Sequence, residues 1–157
     1  ILKSNYIYLI GVGASYAVAI DIFHKLTRLG KQCVVLSDPH LINISCVNAT
    51  DKDLVVAISH SGESREIIDG LKIARQNNTK VLALTSFTNS TITNFANYSL
   101  FSTSVETEFR SDAMTSRILQ MIIVDIIITK AIFKMKNKGH INWERSKNAV
   151  RNNRIKA

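Results

Sequence analysis

Short, uniformly apolar runs alternate along the chain with longer stretches in which apolar residues recur every three or four positions. The runs at 6–10, 34–36, 54–58, 81–84 and 98–101 have the length of strands. Several lack the polar alternate positions of a half-exposed sheet, so they predict parallel strands buried on both faces. Between the first two, Tyr16, Ala19, Ile22, Phe23, Leu26 and Leu29 fall at helical spacing, and Gly30 stands where a left-handed cap would end a helix. A second helix is predicted over about 64–77, with Ile67, Ile68, Leu71 and Ala74 on one face and Arg65, Asp69 and Lys72 away from it. A polar stretch from Ser104 to Arg110 precedes a long helix running from about Asp112 to Lys136, whose middle is apolar almost all round. Such a helix needs cover beyond its own sheet, and the expected cover is a second copy of the chain, in a dimer or tetramer.

This alternation places the chain in the α/β class as a three-layer αβα sandwich around a five-stranded parallel sheet of order 2-1-3-4-5. Domain boundaries are expected at 1–136 for the folded body and 137–157 for a tail. Charge sharpens that division. The net charge of the 157 residues is +8, yet residues 1–129 hold eleven basic and eleven acidic side chains, and residues 130–157 hold nine basic ones against Glu144 alone. The body is neutral and the tail basic, so the charge does not by itself make the body a nucleic-acid surface. The tail is expected to be solvated and peripheral.

At 46% apolar and 20% charged, the composition excludes a disordered chain or a collagen. Cys33 and Cys46 are too few for a disulfide framework and fit a reducing compartment. The most apolar stretch, from Ile118 to Phe133, is broken by Gln120, Asp125, Thr129 and Lys130, and Ile1 leads straight into a strand. The expectation is therefore a cytoplasmic protein with neither signal peptide nor membrane partner.

Two loops carry candidate chemistry. The first strand ends in Gly11-Val12-Gly13-Ala14-Ser15 and the third in Ser59-His60-Ser61-Gly62-Glu63-Ser64. In an order 2-1-3-4-5, both border the point where strand order reverses, the usual place for a ligand. The second loop sets three hydroxyls and a glycine at a helix start, where unpaired N–H groups and the dipole favour an anion. Gly62 is expected to let the backbone approach the bound group. Helix capping is the plain alternative for any one of these serines. The first loop is no dinucleotide fingerprint, since Tyr16 replaces the third glycine, and no Gly-Lys-Ser/Thr of a phosphate-binding P-loop follows. No cofactor and no metal are expected.

The pair Gly-Val-Gly-Ala-Ser and Ser-His-Ser-Gly-Glu-Ser resembles the paired signatures of the sugar isomerase (SIS) domain. Ser37-Asp38-Pro39-His40, Val105–Arg110 with Thr115-Ser116-Arg117 and Asp125, and the basic tail are similar to its branch in RpiR-type transcriptional regulators. The resemblance implies a flavodoxin-like fold, an oligomer and a bound phosphosugar. It assigns the phosphate to Ser59, Ser61, Ser64 and the backbone near Gly62, and the sugar side to Gly13 and Ser15. His40 follows the second strand and could reach a sugar hydroxyl or be a surface residue. His60 stands between two serines, so alternation turns its ring away from them.

Isomerisation needs a base and a ring-opening group, for which Glu106 or Glu108 and a histidine are candidates. Glu108 serves equally as a carboxylate bonded to a sugar hydroxyl. Isomerase branches of the family carry a His-Gly between strands two and three, where this chain reads Asn43-Ile44-Ser45. That departure favours a sensor of phosphosugars over an enzyme, with sugar-phosphate isomerase as the alternative. RpiR-type proteins bind DNA through an N-terminal helix-turn-helix, and the chain starts at its first strand, so DNA contact is expected only through a domain outside it.

Overall fold

The computed structural model describes residues 1–103 and 114–151. Its elements are β1 (Tyr6–Gly11), α1 (Ala14–Arg28), β2 (Gln32–Leu36), α2 (Pro39–Asn48), β3 (Leu54–Ile58), α3 (Arg65–Gln76), β4 (Lys80–Thr85), a 3-10 turn (Thr91–Phe95), β5 (Tyr98–Phe101), α4 (Met114–Met135) and α5 (Asn137–Ala149). The strands form one sheet of order β2-β1-β3-β4-β5, parallel throughout. This is the predicted α/β sandwich around a parallel sheet of order 2-1-3-4-5.

Alternation along the strands divides the core in two. Ile7, Leu9, Val56, Ile58 and Leu84 face α1 and α4, together with Ile22, Leu26, Val124 and Ile128. Ile10, Val55, Ala57, Val81 and Ala83 face α2 and α3, together with Ile42, Cys46, Ile67 and Leu71. Every residue of β3 is buried. Each fully buried side chain of this size contributes about 1.5–3 kcal/mol of transfer free energy, so the central strand is a large part of what holds the layers together. Gly70 explains how closely α2 and α3 approach, because a Cβ there would lie 2.5 Å from Ile42 Cγ2.

Two segments differ from expectation. Residues 39–48 form α2, where the sequence pattern predicts only a connection. Asp38 caps it, its carboxylate accepting from Leu41 N–H at 2.9 Å, and Pro39 occupies the first helical position. Residues 137–149, expected to be part of a solvated tail, form α5 docked on α1. The Arg28 guanidinium lies 3.8 Å from the centroid of the Trp143 ring, and Asn142 Nδ2 donates to Leu29 O at 2.8 Å. Gly139 is buried where a Cβ would come within 2.8 Å of Ile132 O, so the turn from α4 into α5 is tight. A single indole and an amide outweigh the polar composition of this stretch. The long helix is described from Met114 onward, and Asp112 lies outside the described residues.

Candidate functional site

β1 and β3 are neighbours in the sheet, but the connection from β1 leads outward to β2 and that from β3 outward to β4. A crevice opens between the two diverging loops. On the β1 side a Cβ on Gly11 would lie 2.8 Å from Ser15 O, so α1 starts hard against the strand end. Gly13 has φ 58° at the N-cap of α1, and the space a Cβ would take is open. Ser15 stands half-buried in the first turn.

The loop after β3 is built from its own hydroxyls. Ser59, 2% exposed, accepts from Gly62 N–H at 3.0 Å and lies 3.1 Å from Ser64 Oγ. If Ser64 donated to Ser59, the buried Ser59 proton would have no acceptor among the described residues; with Ser59 donating, Ser64 keeps its proton for the crevice. Ser61 is exposed and accepts from Glu63 N–H at 3.2 Å, which also leaves its proton to donate outward. Ser64 is the N-cap of α3 but makes no side-chain cap bond, so the plain capping role is not what it performs. The first-turn N–H groups of α3 therefore have no capping acceptor among the described residues and, with the helix dipole, present a seat for an anion.

Gly62 differs in its reason from the expectation. Its φ is +71°, and a Cβ would lie 2.5 Å from Ser90 Cβ and 2.9 Å from Ile92 Cγ2. Glycine is required by the wall behind the loop and by its left-handed backbone, rather than by room for a ligand. That wall is the 3-10 turn, whose Thr91 N–H donates to Glu63 Oε1 at 2.7 Å and whose Ile92 N–H donates to Gly62 O at 3.0 Å. Hydrogen bonding from Thr91, through its side chain and then its N–H, holds the exposed Glu63 carboxyl below its usual range.

The SIS domain family matches residues 1–130, most of the chain. The chain belongs to the SIS domain family. Its relatives include an HTH-type transcriptional regulator of Thermotoga maritima, 42% identical over 123 residues that cover 78% of this chain and 44% of that protein. The HTH-type regulator HexR of Escherichia coli is 31% identical over 148 residues, covering 92% of this chain and 50% of HexR. The chain spans about half the length of the curated relatives it matches. Among solved structures, NanR of Vibrio vulnificus complexed with ManNAc-6P superposes with a TM-score of 0.91 at 23% identity, covering 98% of this chain and 58% of that one. The sugar isomerase domain of an RpiR transcription factor from Sphaerobacter thermophilus gives 0.82 at 18% identity, covering 93% and 80%. At these identities the likeness is one of fold.

Within this SIS domain the structure brings Ser59, Ser61, Gly62 and Ser64 together in one loop and sets Gly13 and Ser15 in the loop that follows the adjacent strand. His40 sits exposed in the first turn of α2, beyond the edge strand β2, and among the described residues no hydrogen bond links it to the serine loop. Glu106 and Glu108 lie outside the described residues. Sequence reasoning missed Glu63 as the anchor of the wall and a relay beside the serines: His60 Nδ1 lies 2.9 Å from Ser86 Oγ, which lies 2.9 Å from Ser102 Oγ. The His60 ring meets Phe87 edge-on at 5.5 Å. Ser86 and Ser102 follow the apolar runs of β4 and β5, which is the one signal in the sequence that could have found them, and nothing local ties them to His60.

Proposed function

We propose that this SIS domain is the phosphosugar-sensing part of an RpiR-type transcriptional regulator of carbohydrate metabolism. The observation that carries this reading is the pre-built serine loop: Ser59 and Gly62 fix its shape internally, and Ser61, Ser64 and the start of α3 remain to bind a phosphate. Gly13 and Ser15 border the sugar side, with His40 and Glu108 as further candidate ligands. The regulator similarity and the ManNAc-6P held by a structural relative support the ligand class. Binding changes the arrangement of subunits and thereby of DNA-reading domains elsewhere in the full-length protein.

The subunit contact is assigned to α4. Ile118, Ile122 and Ile126 are 58%, 49% and 62% exposed in one stripe that continues to Phe133 at 77%, with Tyr16 and Ile20 of α1 also exposed. An apolar face of this length is covered in solution by the same face of a second copy.

Thermal-shift titration with hexose, pentose and amino-sugar phosphates tests the reading. At least one should raise the Tm, and Ser61→Ala should weaken that binder by about tenfold or more with little loss of stability. No response to any phosphosugar overturns the reading. Ketose formation from the tightest binder in a coupled assay would replace the sensor with an isomerase.

A further inference from the structure

On the face of the sheet that packs against α1 and α4, the apolar core stops at a level defined by Ile58, Leu84 and Leu100, with Val124 of α4 beside them. The ladder continues past this level, through Ser59 N–H to Leu84 O, Ser86 N–H to His60 O and Ser102 N–H to Thr85 O. The alternation therefore continues too, and the next side chains on that face are His60, Ser86 and Ser102, the members of the relay. Two strand residues rise about 6.6 Å and one helical turn about 5.4 Å, so the residue of α4 at this new level is Gln120, one turn before Val124. Gln120 is 2% exposed, and its Nε2 has no hydrogen-bond partner among the described residues.

A buried amide donor without an acceptor costs about 1–3 kcal/mol, and natural proteins retain such a group where something else satisfies it. The layer at its height is polar, lies at the carboxyl ends of the strands, and begins one residue from Ser59 and Ser61. We propose that this layer is the sugar-reading part of the site, and that the Gln120 amide donates to an oxygen of the bound phosphosugar beyond its phosphate. The relay positions the His60 ring: Nδ1 is engaged by Ser86, and Ser86 by Ser102, which leaves Nε2 for the same ligand. The inference rests on the phosphosugar reading and adds to it the group that discriminates one sugar from another.

Calorimetric titration of the chain and of Gln120→Met with inorganic phosphate, glucose 6-phosphate, fructose 6-phosphate and the 6-phosphates of N-acetylglucosamine and N-acetylmannosamine tests it. In Gln120→Met the tightest sugar phosphate should bind about tenfold more weakly or worse, inorganic phosphate should change by less than about twofold, and the Tm without ligand should stay or rise. Equal affinity of the wild type for inorganic phosphate and all four sugars overturns the proposal, as does unchanged sugar affinity in the variant. Unfolding of both Gln120→Met and Gln120→Leu would make the amide structural and overturn it as well. Failure of the phosphosugar reading itself has a different signature: no compound of the set binds the wild type, and the proposal falls with it.

Discussion

Gly62 and Gly13 both have positive φ, but only Gly62 has atoms where a side chain would go. Gly13→Ala should cost about 1–2 kcal/mol, the penalty of a left-handed L-residue. Gly62→Ala adds the displacement of Ser90 and Ile92 and should cost about 2–5 kcal/mol in urea unfolding. Equal losses would mean that the wall behind the loop yields freely. Cys46 gives a second test on this scale. Burial pushes its thiol up to about 11, whereas Cys33 is only half-buried, so a thiol reagent at mildly alkaline pH should label Cys33 first and Cys46 only as fast as the chain opens. The serine loop was legible in the sequence because its residues are contiguous. The Gln120 layer was not, because it assembles residues from three strand ends and a helix.

Among the elements, the central strands were readable because burial on both faces leaves uninterrupted apolar runs, and β3 was found to the residue. α2 escaped because Leu41, Ile42, Ile44, Cys46 and Val47 surround it without a stripe, and Pro39 reads as a break until Asp38 is seen to cap the helix. α5 escaped because its stability is tertiary. Trp143 is the only tryptophan, so its emission reports that docking directly. Trp143→Ala should cost about 1–3 kcal/mol, below the range of a fully buried aromatic, and Arg28→Ala should shift the emission. The 3-10 turn has an acid-sensitive tether. Because hydrogen bonding from the Thr91 side chain, and then from its N–H, lowers the folded-state pKa of Glu63, the contribution of this contact is present above the unfolded value and is lost as pH falls through the folded one. The Thr91 amide resonance should therefore move at a pH below the usual glutamate range, and Glu63→Gln should abolish that movement.

For the whole molecule, the proposed dimer turns on the α4 stripe. Ile126→Glu places a charge in the middle of it and should give a monomer by sedimentation without loss of fold, whereas an unchanged sedimentation coefficient would move the interface elsewhere. The neutral body and basic tail proved an incomplete division, since part of the tail belongs to the packed structure. The strand order has a kinetic consequence of its own. Of the four strand pairings, β1 with β3 joins the residues farthest apart in sequence, and the two loops of the crevice hang from that pair. Closing the longest segment is the slow, non-local part of assembling such a sheet, so the crevice is complete only when folding is nearly over. A ligand held there gains nothing from earlier states of the chain. In stopped-flow experiments, a saturating phosphosugar should slow unfolding by about the whole binding factor and leave the refolding rate where it was.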